Sequence, residues 1–117
     1  MKSIANAEKW LQLLKAQALP AGVHAQLDAL RVGEACDCGC NSFVVSVSPT
    51  PGIPPLLERG LVCELAFKSN KTEEINVLIF SDPAGYLDRI DVTLGGYGGL
   101  MPDGIEVTGL IGIWPAG

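Results

Sequence analysis

The spacing of apolar residues changes at Gly33, and that change limits the chain to folds in which a helical front end precedes a pleated platform. Between residues 4 and 18, Ile4, Ala7, Leu11, Leu14 and Ala18 recur at intervals of three and four, while Lys9, Gln12 and Lys15 take other angular positions. This predicts an amphipathic helix closed by Pro20. Val23, Leu27 and Leu30 repeat the helical interval with Gly33 as a stop, so residues 1–32 read as a helical hairpin or one broken helix.

Beyond Gly33 the period is two and the residues become β-branched and aromatic, as pleated strands require. Phe43, Val45 and Val47 alternate with Val44, Ser46 and Ser48. Residues 49–55 hold four prolines and Gly52, cannot sustain a ladder of hydrogen bonds and form a loop. Leu61, Cys63, Leu65 and Phe67 define the next strand, followed by the polar turn 68–72. Ile75, Val77 and Ile79 form one face of a third strand, and Leu78 and Phe80 behind them predict a central strand buried on both sides. Asp82-Pro83-Ala84-Gly85 is a tight turn into a fourth strand, in which Tyr86, Asp88, Ile90, Val92 and Leu94 oppose Leu87, Arg89, Asp91 and Thr93. Glycines at 95, 96, 98 and 99 interrupt the pattern, which resumes from Ile105 to Trp114.

Short polar turns favour antiparallel pairing, because parallel strands would need crossover helices for which there are too few residues. The expected architecture is a single α+β domain over residues 1–117, with the helices on one face of a four- or five-stranded, mostly antiparallel sheet. A 12.3 kDa chain can remove about two-thirds of its surface from water, enough for one core.

Charge narrows the partners. Four basic residues face two acidic ones through Arg31, whereas four face eleven from Val32 onward, for a net −5. A negative body repels phosphate backbones, which argues against nucleic acid and permits a basic protein partner. Asn6, Glu8 and Lys9 follow the first residues closely, and the apolar run 109–117 is too short to cross a bilayer. A cytoplasmic chain with no membrane segment is therefore expected, and in that compartment thiols stay reduced or bind metal.

Three of the four cysteines, Cys36, Cys38 and Cys40, fall within five residues beside Gly39. Tetrahedral zinc would need their sulfurs roughly 3.8 Å apart, whereas residues i and i+2 of an extended strand are about 6.7 Å apart. All three reach one ion only if the chain folds back at Asp37 or Gly39, with Cys63 or His24 as a fourth ligand. A redox pair is a second reading, opposed by Asp37, whose charge disfavours thiolate formation. The third is packing, since free cysteine is a small and commonly buried side chain. Cys63, between Leu61 and Leu65, fits packing best.

No nucleophile, histidine and acid arrangement is evident: His24 is the single histidine and sits at a helix surface. The glycine cluster after residue 94 lacks the strand and helix context of a dinucleotide fingerprint. Alternation puts Asp88 and Asp91 on opposite sides of their strand, so with Asp82 and Glu64 they read as solvated charges, or else as an acidic docking face.

Two stretches, residues 36–43 (CDCGCNSF) and 85–92 (GYLDRIDV), resemble a group of small uncharacterised bacterial proteins that pair a Cys-x-Cys-Gly-Cys-Pro-Ser segment with a later Gly-Tyr-Leu-x-x-Leu-Glu-Val strand. This chain has Asn41 in place of the proline and Asp91 in place of the glutamate. The resemblance implies a bacterial cytosolic protein and assigns no catalytic residue. The functional expectation is a non-enzymatic binding or interaction module, inhibitor- or immunity-like. The alternative is a metal- or thiol-dependent protein using Cys36, Cys38 and Cys40, with zinc as its metal. Unpaired outer strands or the first helix also permit a homodimer.

Overall fold

The computed structural model describes residues 4–20, 22–35, 42–70, 74–93 and 105–114. Among these, helices α1 (Ile4–Lys15) and α2 (Val23–Ala29) precede strands β1 (Arg31–Ala35), β2 (Phe43–Ser46), β3 (Gly60–Ser69), β4 (Ile75–Ser81), β5 (Leu87–Thr93) and β6 (Val107–Trp114). The strands form one sheet in the order β1-β2-β5-β4-β3-β6, and every pairing is antiparallel. The α+β expectation holds, with six strands in place of four or five.

The extra strand is β1, which straddles the boundary expected at residues 32–33 between the helical and pleated regions, where the sequence predicts no strand. Its residues Arg31-Val32-Gly33-Glu34-Ala35 include one β-branched side chain and a glycine, so they carry no alternation of their own. Pairing with β2, through Arg31 to Ser46 and Val32 to Val45, makes them a strand. Helix α1 stops at Lys15, ahead of Pro20, in a tightened turn where Ala16 and Gln17 donate to the carbonyls of Leu13 and Leu14. Ala18, expected on the apolar stripe, is exposed, and Trp10 takes part in the core instead.

One face of the sheet is sealed by the helices. Ala7, Trp10, Leu11 and Leu14 of α1 and Val23 and Leu27 of α2 join the inward residues of β2 to β5 in a single cluster. Registers align those inward residues in rows across the strands, Phe43–Ile90–Ile79–Cys63 and Val92–Val77–Leu65–Ile113. Such rows are the unit by which a sheet buries apolar area.

The opposite face differs from expectation at three points. Asn76, Leu78 and Phe80 of β4 are half-buried, so this strand is central in order yet covered on one side only. A bulge at Val62 lets Leu61 pair with Phe80 and Cys63 with Ile79, which turns Leu61 away from its expected neighbours and leaves it 46% exposed. A second bulge at Asp88 lets Leu87 and Ile90 both face the core. The row Val44–Arg89–Phe80–Leu61 therefore lies on the open face.

Candidate interaction site

The connection from β2 to β3 has to pass β5 and β4, because those two strands separate its ends in the sheet. It does so as a proline-rich loop running alongside the β4–β5 turn, and the turn supplies its attachments. Thr50 and Ile53 close a small turn, with Ile53 N–H donating to the Thr50 carbonyl at 3.0 Å. Pro54 and Pro55 then carry the chain to Leu56, whose side chain is buried and whose N–H donates to the Gly85 carbonyl at 2.8 Å.

Leu57 follows, and it is 96% exposed. Its neighbours are held on both sides. Ser81 Oγ donates to the Glu58 carbonyl at 3.0 Å. The Arg59 guanidinium donates to the Pro83 carbonyl at 2.9 Å, to the Glu58 carbonyl at 3.2 Å and to the Leu56 carbonyl. Among the described residues, the N–H and carbonyl of Leu57 make no hydrogen bond. The result is a fully presented apolar side chain with free backbone groups, between fixed points.

Gln26 of α2 anchors both halves of this arrangement from beneath. It is fully buried, its Nε2 donates to the carbonyls of Gly85 at 3.0 Å and Pro54 at 3.2 Å, and its Oε1 accepts from Leu87 N–H at 2.8 Å. One side chain thus ties helix, loop and turn together. The turn forms as expected from Asp82-Pro83-Ala84-Gly85: Gly85 N–H donates to the Asp82 carbonyl at 3.0 Å, and Asp82 Oδ1 accepts from Ala84 and Tyr86. Gly85 adopts φ +95°, where a side chain is disfavoured, and an added Cβ would lie 2.7 Å from the Leu56 carbonyl oxygen.

Beside the loop, at the same end of the sheet, a cleft of about 450 Å³ is lined by Val44, Val45, Phe80, Ser81, Asp88 and Arg89. The Arg89 guanidinium sits 4.7 Å from the Phe80 ring centre and pairs with Asp91 at 3.1 Å. Val44 and Leu61, at the two ends of that row, are each about half exposed. A second recess of about 340 Å³ lies between α1 and β6, where the Lys9 ammonium is taken up by the Ile105 carbonyl at 2.9 Å.

The acidic residues singled out by sequence are spread over β3, β5 and the β4–β5 turn. Asp82 is engaged in its turn, Asp91 is paired with Arg89, and Asp88 stands at a bulge. Glu64 is two strands away from Asp91, with Leu78 in register between them.

Cys36, Cys38 and Cys40 lie outside the described residues, as does the glycine cluster 95–99. The flanking residues Ala35 and Phe43 are register partners on adjacent strands. Cys63, offered as a fourth ligand, is 1% exposed on the core face, with Ile79 and Ile90 in register between it and Phe43. Three strand spacings, about 14 Å, separate those two positions. Burial, reinforced by the Glu64 carboxylate, raises the Cys63 thiol to about 11. Cys63 therefore packs as a small apolar group. His24 is half-buried on α2 and its Nε2 accepts from Leu19 N–H at 3.5 Å. Among the described residues no group of three or more histidines, cysteines or carboxylates is placed to hold a metal ion, and no helix is long and apolar enough to cross a membrane.

No protein-family model, curated protein or solved structure matches this chain, so its own geometry carries the functional argument.

Proposed function

We propose that this protein is a non-enzymatic, inhibitor-like interaction module that engages another protein with the end of the sheet bearing Leu57. The observation that supports this reading is the fully exposed Leu57 held between anchored neighbours. An exposed leucine alone means little, because much of any protein surface is apolar. A rigid mount is different: ordering a loop opposes binding, and a loop already fixed in its bound shape avoids that cost. Val44 and Leu61, each about half exposed, belong to a separate row on the open face, with Arg89 and Phe80 between them.

The contact centre is apolar, so association should depend on ionic strength only through the exposed Glu58 and Arg59 beside Leu57. A photoreactive phenylalanine analogue at position 57, installed in cells of the source organism, should give a discrete protein adduct. The same group at exposed Gln12 on α1 serves as control. Equal adduct patterns at both positions, or none at 57, would overturn the proposal.

A further inference from the structure

We infer that residues 54–60 form a substrate-like loop that occupies the active-site cleft of a serine endopeptidase, with Leu57 in the primary specificity pocket and the Leu57–Glu58 peptide bond left intact. This rests on the interaction reading above and names its partner.

Shape narrows the partner. A broad protein surface is matched by a broad patch, whereas here one apolar side chain stands on a single stretch of backbone flanked by exposed Pro54, Pro55, Glu58, Arg59 and Gly60. A narrow cleft that reads one side chain and pairs with the main chain beside it is the complementary form. The backbone meets the second requirement, since the N–H and carbonyl of Leu57 are free to pair with a cleft edge as an added strand does.

Resistance to cleavage follows from the anchors. Peptidases cut flexible, exposed segments readily because such segments adapt to the site. Here the carbonyls on either side of Leu57 are tied to the body, Leu56 by Arg59 and Glu58 by Arg59 and Ser81. Arg59 is in turn held to the β4–β5 turn through Pro83, and that turn is fixed to α2 by Gln26. Were the bond cut, the new ends would stay apposed. Preorganisation of this kind is how a segment of modest contact area binds tightly. The side chain of Leu56 is turned into the core, so recognition falls on Leu57 and the main chain.

The test uses the purified full chain against α-chymotrypsin, subtilisin and trypsin with chromogenic substrates, and mass spectrometry to follow the Leu57–Glu58 bond. The native protein should inhibit chymotrypsin or subtilisin, which accept leucine, and leave trypsin unaffected. Leu57→Lys, at a position with no packing role, should weaken that inhibition about a hundredfold, as an unpaired ammonium in an apolar pocket requires, and confer inhibition of trypsin. Arg59→Ala should keep the fold by circular dichroism while turning the loop into a substrate cut after residue 57. Absence of inhibition by folded protein at tens of micromolar would overturn the inference, as would complete cleavage of the native loop within minutes or inhibition indifferent to Leu57→Lys. A specific adduct at position 57 in cells, without peptidase inhibition, would retain the interaction reading and reject the peptidase.

Discussion

Replacing Gln26 by methionine tests whether this one side chain holds the loop, because methionine keeps the volume and removes every polar contact. Three hydrogen bonds disappear, with unequal consequences. The Gly85 carbonyl keeps its bond from Leu56 N–H, and the carbonyl of exposed Pro54 can turn to water. Leu87 N–H loses its buried acceptor. An unsatisfied buried donor costs about 1–3 kcal/mol and each ordinary hydrogen bond contributes about 1 kcal/mol net, so the loss should be about 3 kcal/mol. In a chain of 117 residues that is a fall of roughly 10 °C in Tm. Gln26→Glu adds a directional check. At neutral pH it sets a carboxylate against the Gly85 and Pro54 carbonyls, so its folded-state pKa must rise above the unfolded value of about 4.3. A raised folded pKa means stability is fully present below the unfolded value and is lost as pH rises towards the folded one. The Glu variant should therefore approach the native protein near pH 4 and be far weaker at pH 7. Urea denaturation at both pH values measures this. A loss below about 1 kcal/mol for Gln26→Met would refute the argument that a buried donor is orphaned.

Further outcomes follow from the same geometry. Gly60→Ala, where an added Cβ meets nothing but φ is +73°, should cost about 1–2 kcal/mol; Gly85→Ala should cost clearly more, because its Cβ also collides with the Leu56 carbonyl. Parallel thermal melts decide between them. Cys63 should escape alkylation at pH 8 in the native state and react on unfolding, as read by peptide mass spectrometry. Because its folded value of about 11 lies above the ordinary 9.0, the stability it contributes is full below pH 9 and is lost between those values. Arg89→Ala should change stability by at most about 1 kcal/mol, since both its ion pair and its ring contact are at the surface.

Most strands were legible because each carries its own alternation. Phe43 and Val45 point inward and Val44 and Ser46 outward, as the residue types alone require. Strand β1 was not legible, because its status comes from β2 rather than from Val32 and Gly33. The bulges were equally hidden: nothing in Leu61-Val62-Cys63 distinguishes a regular strand from one that slips by a residue against Phe80 and Ile79. Gln26 did leave a signal. It falls three residues after Val23 and beside Leu27, so a polar side chain stands on the apolar stripe of α2 and has to find buried partners. Leu57 left none, since Leu56 and Leu57 are alike in sequence and only the attachment of the loop separates the buried leucine from the exposed one.

That separation ties the topology to the candidate site. With β5 and β4 between β2 and β3, the connecting segment cannot be a short hairpin and has to travel past the β4–β5 turn. Prolines at 49, 51, 54 and 55 limit the conformations of that crossing segment and remove N–H donors that would otherwise need partners. The turn then becomes an attachment point, because Gly85 can accept from both Leu56 and Gln26 only by bringing its backbone closer than a side chain at that position would allow. Leu56 is fixed to that turn at Gly85, and Glu58 to Ser81 at the end of β4, so Leu57 between these two attachments is the residue left in solvent.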